Sequence, residues 1–197
     1  PAKPHLIEGG MPTEATLATI VINKHADHLP LFRQSGIFAR QGVHLDRSTL
    51  AAWLGRVAHE LTPVYECLKV DLKTSTKLFM DETTAPVLDP GRGKTKMGYL
   101  WALARDDRPW GGSAPPGVAF TYAPSRAGKH AVEILQGFDG VLQVDGYTGY
   151  NRVKDRPDNE PIELAYCWAH ARRKLFELTI NNVAPIAEEG LKQIKAF

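Results

Sequence analysis

Apolar positions recur at helical spacing through the first third of the chain. Leu17, Ile20 and Val21 share one face of a helix expected over 13–24, and a second helix, with Leu31, Phe32 and Phe38, is expected over 30–41. Leu50, Leu54, Val57 and Leu61 continue the pattern after Asp46. Gly42 suits a terminator of the second helix, Asp46 an N-cap of the third, and Pro63 a stop. After Val70 the spacing changes to short apolar runs bounded by turn residues. These predict strands over 77–83, 98–104, 117–122, 141–144 and 162–167. DPGRG (89–93) and the Pro/Gly-rich stretch 109–116 punctuate the first three strands. Helical spacing returns over 128–137, with Val132 and Leu135 inward, near 170–178, and over 185–197 with Ile186, Leu191 and Ile194.

Three consecutive strands with short links imply an antiparallel meander, and the helix before the fourth strand permits a parallel crossover. The expected fold class is therefore α/β: a mixed five-stranded sheet with flanking helices, preceded by a small helical region. Two of its helices, joined by a short glycine-containing turn, resemble a helix-turn-helix. The expected organisation is a helical region over 1–64, a sheet-containing core over 70–180 and a further helical segment over 181–197.

Composition narrows the function classes. A chain of 197 residues, 43% hydrophobic and 23% charged, has the make-up of an ordinary globular protein. A net charge of +2 permits a nucleic-acid partner without arguing for one. Two cysteines, Cys67 and Cys167, make neither a disulfide framework nor a four-cysteine zinc site, so a reducing cytoplasm is expected. No apolar run approaches the roughly 18 residues of a membrane span, and neither a membrane role nor a signal peptide is expected. The sequence opens on Pro1, as a piece of a longer product would.

Asp81 and Asp145 both fall at or near the C-terminal end of an apolar strand, where open α/β sheets bind ligands. Two carboxylates brought together there repel unless a cation lies between them, and hard oxygen ligands suit Mg²⁺ or Mn²⁺. Taken singly, each aspartate is equally a turn-former or helix cap, since Asp-Gly is a common turn pair. Glu82 must point to the face opposite Asp81, and Asp89, before Pro-Gly, reads as a turn residue. Cys167 and His170 stand three apart, a spacing open to shared metal ligation or to simple packing. Arg172, Arg173 and Lys174 could neutralise phosphates or form a solvated helix face.

Five motifs in order, HLPLFRQ (28–34), RSTLAAW (47–53), MDET (80–83), VDGYTGYN (144–151) and CWAHARRK (167–174), resemble the bacterial transposases of the insertion sequence 66 family. The resemblance implies an RNase H-like core of the DDE type, in which two aspartates and a glutamate hold two divalent ions, Mg²⁺ or Mn²⁺. Asp81 matches the first acid and Asp145 the second. Cys167 and His170 resemble a Cys-x-x-His signature of uncertain role. The implied chemistry is metal-dependent cleavage and transfer of double-stranded DNA, at element ends and target, by a homo-oligomer in the bacterial cytoplasm at the nucleoid. Arg47, Ser48 and Thr49, with Arg172, Arg173 and Lys174, are the expected DNA contacts. A helical bundle that only packs or dimerises is the other reading of the N-terminal region.

Two departures from the family pattern bear on activity. The third acid of the family sits in an Asn-x-x-Glu-Arg context, which does not occur here; Glu177, Glu188 and Glu189 lack it. An upstream cysteine-rich zinc-binding segment is also missing, and 185–197 resembles the start of a helical insertion. The expectation is a truncated piece holding two of three acids. The alternatives are a non-catalytic DNA-binding remnant and another RNase H-like nuclease.

Overall fold

The computed structural model describes residues 5–89, 91–155, 161–180 and 183–196. The chain divides into two compact units, Pro1–Glu66 and Cys67–Phe197.

The first unit holds α1 (Glu14–His25), α2 (Leu31–Arg40) and α3 (Arg47–Glu60). Thr13 caps α1, its side chain accepting a hydrogen bond from Thr16 N at 3.3 Å. Leu17, Ile20, Leu45, Leu50 and Trp53 form the core of the unit. The buried residue of α2 is not one of its apolar ones. Phe32 is exposed, whereas Gln34 is buried, its amide donating to the carbonyls of Leu29 (3.1 Å) and Ile20 (3.3 Å). Asp46 occupies the N-cap position of α3, but its side chain makes no capping bond. The α2–α3 connection runs over 41–46, longer than the roughly three or four residues of a helix-turn-helix turn.

Helix α3 stops at Glu60, just before Pro63 as expected, yet Pro63 is itself helical. It lies in the first turn of α4 (Thr62–Leu72), where its missing N–H would have had no intrahelical partner. At the other end of α4, Leu72 is fully buried, and Asp71 receives two bonds from the buried Arg105, to its carbonyl (2.9 Å) and its carboxylate (2.7 Å).

The second unit is built on β1 (Lys77–Val87), β2 (Lys96–Arg105), β3 (Gly117–Ala123), β4 (Gly140–Val144) and β5 (Ile162–Tyr166). Their order is β3-β2-β1-β4-β5. β1 pairs antiparallel with β2, and β2 with β3, while β1–β4 and β4–β5 are parallel. This is the expected meander followed by a crossover through α5 (Lys129–Ile134). It is a mixed five-stranded α/β sheet consistent with an RNase H-like core. Leu78, Met80, Trp101, Leu103, Leu142 and Val144 alternate onto one buried sheet face. Ala131 and Ile134 of α5 are buried, as are Tyr150 and Val153 of a 3-10 helix at Thr148–Asp155. Val132, expected inward, is only half-buried. After β5 come α6 (Trp168–Thr179) and α7 (Pro185–Lys195), which pack on each other; Ile186 is exposed and Ala187 buried.

Candidate metal centre

The last backbone pair between β1 and β4 joins Phe79 to Gln143. Carried two residues further, that parallel register sets Asp81 beside Asp145. Residues at equal register on neighbouring strands share a face, with the strands about 4.8 Å apart. Both aspartates line one cavity of about 170 Å³, with Phe79, Gln143, Cys167 and His170 among its walls. Asp145 follows directly on the last residue of β4, as expected. Asp81 does not end its strand: β1 runs on to Val87 along β2, and Asp81 stands near its middle, where β4 has left it.

Local backbone fixes each carboxylate. Asp81 Oδ1 accepts from the Glu82 N–H at 2.9 Å, and Asp145 Oδ1 from the Tyr147 N–H at 2.8 Å. The second bond closes an Asx turn through Gly146, whose φ of +96° a side chain would strain. The other Asp145 oxygen, Oδ2, lies 3.7 Å from Arg126 Nη2.

Behind the sheet a second set of groups converges. Glu82 does face away from Asp81, and its side chain is fully buried. It accepts hydrogen bonds from Arg126 Nε and from the Tyr150 hydroxyl, the latter at 2.5 Å. The Arg126 guanidinium also stacks on Tyr147, 3.9 Å from the ring centre, and the Tyr147 hydroxyl donates to the Arg126 carbonyl at 3.0 Å. Trp101 meets Tyr150 edge-on at 5.9 Å. Burial, with the hydrogen bond to Glu82, pushes the Tyr150 phenol far above its ordinary value. Burial works against the Arg126 cation, but the bond to Glu82 and the charges of Glu82 and Asp145 outweigh it, so it titrates above the usual guanidinium range. Neither Arg126 nor the part played by Glu82 was foreseen from the sequence. The two lie 44 residues apart, and no spacing rule joins them.

Cys167 is at the N-cap position of α6 and its N–H donates to the Val144 carbonyl at 2.9 Å. Burial would raise its thiol, but hydrogen bonds from the His170 backbone and ring and from the Ala169 N–H prevail and hold it below the ordinary thiol range. His170 Nδ1 is buried with no hydrogen-bond partner among the described residues. Arg172, Arg173 and Lys174 are exposed on α6 and do not line the cavity; Lys174 pairs with Glu177 at 3.1 Å. Arg47, Ser48 and Thr49 form the first turn of α3 in the other unit, with Arg47 and Ser48 exposed. None of Glu177, Glu188 and Glu189 lines the aspartate cavity. Among the described residues no three His, Cys, Asp or Glu side chains converge as a metal cage.

A family profile described as Transposase IS66 family matches residues 9–197. The chain belongs to this family. It is 46% identical over 194 residues to the uncharacterized protein y4qI of Sinorhizobium fredii, covering 96% of the chain and 36% of that relative. It is 47% identical to y4jD of the same organism, over 96% of the chain and 38% of the relative. A third relative there, y4hP, is 38% identical over 98% of the chain and 37% of its own length. The chain thus spans little more than a third of the length of the curated relatives it matches. Among the described residues no helix is long and apolar enough to cross a membrane.

Proposed function

We propose that this IS66-family chain carries two acids of a divalent-metal site for DNA strand cleavage and transfer at insertion-element ends. The observation that supports it is the equal-register pair Asp81 and Asp145 in one cavity. Two hard carboxylates side by side favour a cation over mutual repulsion, and Mg²⁺ or Mn²⁺ accepts a few carboxylates with water and substrate phosphate completing the shell. Asp81 and Asp145 would hold the metal, with two ions in the complete site. Bound there, the ions would supply nucleophile activation and leaving-group stabilisation for in-line displacement at a phosphate. The protein's own contribution is position: the Glu82 and Tyr147 N–H groups fix one oxygen of each aspartate.

Around that site we assign the region 1–64, through Arg47, Ser48 and Thr49, and the exposed Arg172, Arg173 and Lys174 to double-stranded DNA. The core is assigned to 70–180, and 181–197 to the start of a helical insertion. The working form would be a homo-oligomer on DNA in the bacterial cytoplasm. A third acid would come from chain outside residues 1–197, as the length of the relatives allows.

The test is Mn²⁺-dependent cleavage of element-end DNA by this chain and by a version extended at its C-terminus to the length of its relatives. The extended protein should cleave and transfer strands, and Asp81→Asn or Asp145→Asn should each reduce this to background. Robust strand transfer by the 197-residue chain would contradict an incomplete site. One observation favours a second reading, a DNA-binding protein without catalysis: no third acid reaches the cavity among the described residues. Extended protein that binds element ends but never cleaves them would select it.

A further inference from the structure

The β1–β4 ladder ends at Phe79 and Gln143, so the two aspartates lie beyond the last hydrogen bond that ties their strands together. Something else must hold the tips in register. From the β1 side, Asp81 bonds the Glu82 N–H, and the Glu82 carboxylate, buried behind the sheet, holds Arg126 Nε. From the β4 side, Asp145 bonds the Tyr147 N–H and has Arg126 Nη2 3.7 Å from its second oxygen. Tyr147 flanks the guanidinium, and its hydroxyl holds the Arg126 backbone. Tyr150 fixes Glu82 from the far side at 2.5 Å. One side chain therefore joins the two acid-bearing segments.

We infer that Arg126, anchored by Glu82, is a positioning residue that clamps Asp81 and Asp145 at the separation a divalent ion needs. The inference rests on the reading of the two aspartates as ion ligands. Arg126 acts through Asp145 and Glu82 and ligates nothing itself. Because Glu82 offsets its charge, the pair adds no net charge to the site, and removing both members together alters geometry while leaving the local charge sum unchanged.

That balance supplies the experiment. Mn²⁺ affinity is measured by the loss of the free-ion electron paramagnetic resonance signal for the wild-type chain, Asp81→Asn, Arg126→Lys and the charge-neutral double variant Glu82→Gln/Arg126→Gln. The amide resonances of Tyr147 and Glu82 are followed in ion-free protein. The double variant should keep its fold and bind Mn²⁺ roughly 10–100-fold more weakly, the usual effect of removing a partner of a metal ligand, and both amide resonances should move. Unchanged or tighter Mn²⁺ binding by the double variant would overturn the clamp. Should that variant not fold, Arg126→Lys decides. It keeps the charge but loses the fork, and unaltered affinity with unmoved resonances would overturn the clamp equally. Wild-type Mn²⁺ binding indifferent to Asp81→Asn would instead overturn the ion-ligand assignment, leaving the clamp to be judged on the resonances alone.

Discussion

At the scale of single residues, the strongest electrostatic consequence belongs to Tyr150. Its phenol is raised by burial and by the bond to Glu82, so the folded chain keeps this proton after the unfolded chain has lost it. The stability it contributes is therefore fully present below the unfolded value of about 10 and is lost as pH rises beyond that. Tyr150→Phe should cost about 1.5–3 kcal/mol near neutrality, the range for a hydrogen bond to a charged group. Urea midpoints taken between about pH 8 and about pH 11 should show the gap to wild type closing across the phenol's ordinary range. A gap constant with pH would mean the hydroxyl is not bound to Glu82 as described. Cys167 shifts the other way. Its thiol is held low against burial by the backbone and ring of His170, so in a Cys67→Ser background iodoacetamide should label it with a midpoint below the usual thiol value of about 8.5. His170→Ala keeps the backbone N–H but removes the ring, and should move that midpoint upward; no movement would remove the His170 ring as a cause.

Elements hold the site through close backbone contacts, and one of these has no slack. A Cβ on Gly128, at the start of α5, would fall 2.1 Å from the Gly149 carbonyl oxygen, in the 3-10 helix that follows Asp145. Neither atom belongs to a movable side-chain end. Gly128→Ala should therefore destabilise by about 1–3 kcal/mol, as overpacking does, and shift the Tyr147 amide resonance; an unaltered thermal midpoint would contradict this contact. The sequence announced the strands because each is a short apolar run between turn residues, and it drew attention to Asp81 and Asp145 because each closes or interrupts such a run. It misjudged β1, since Thr84, Ala85 and Pro86 break the apolar pattern while their pairing with β2 continues. Pro86 is tolerated there because β4 no longer runs alongside. It gave no sign of α4 because Pro63 signals a stop and a first turn equally well. Inside the helical unit the apolar pattern gave no sign that Gln34 is buried, because that burial depends on two carbonyl acceptors from other segments. The Glu82–Arg126 pair was illegible for a similar reason: only the folded sheet brings strand β1 and the β3–α5 loop together.

Across the 197-residue chain, the net charge of +2 sets what the proposed DNA binding can look like. Affinity for duplex DNA depends on salt through counterions released, with a log–log slope of about −0.9 per phosphate neutralised. A chain so nearly neutral overall must concentrate its cations to hold a duplex, and three adjacent exposed ones, Arg172, Arg173 and Lys174, do so on α6. Lys174 is engaged by Glu177 at 3.1 Å, an exposed pair of the kind worth only about 0–1 kcal/mol. It must still give up part of that contact to reach a phosphate. The two arginines, which have no such partner among the described residues, should carry the larger share. Substituting all three by Gln should accordingly flatten the salt dependence by about two, near two phosphates' worth, and less than the three a simple count implies. Glu177→Gln alone should free Lys174 and steepen the slope by less than about 0.9. Both slopes come from fluorescence anisotropy titrations of a labelled duplex over a range of salt. Sequence should matter little to this component, because phosphate contacts carry no base information. Identical slopes for wild type and the triple variant would leave α6 a solvated helix face and move the DNA-binding role to the first turn of α3, where Arg47→Gln then becomes the substitution expected to lower the slope.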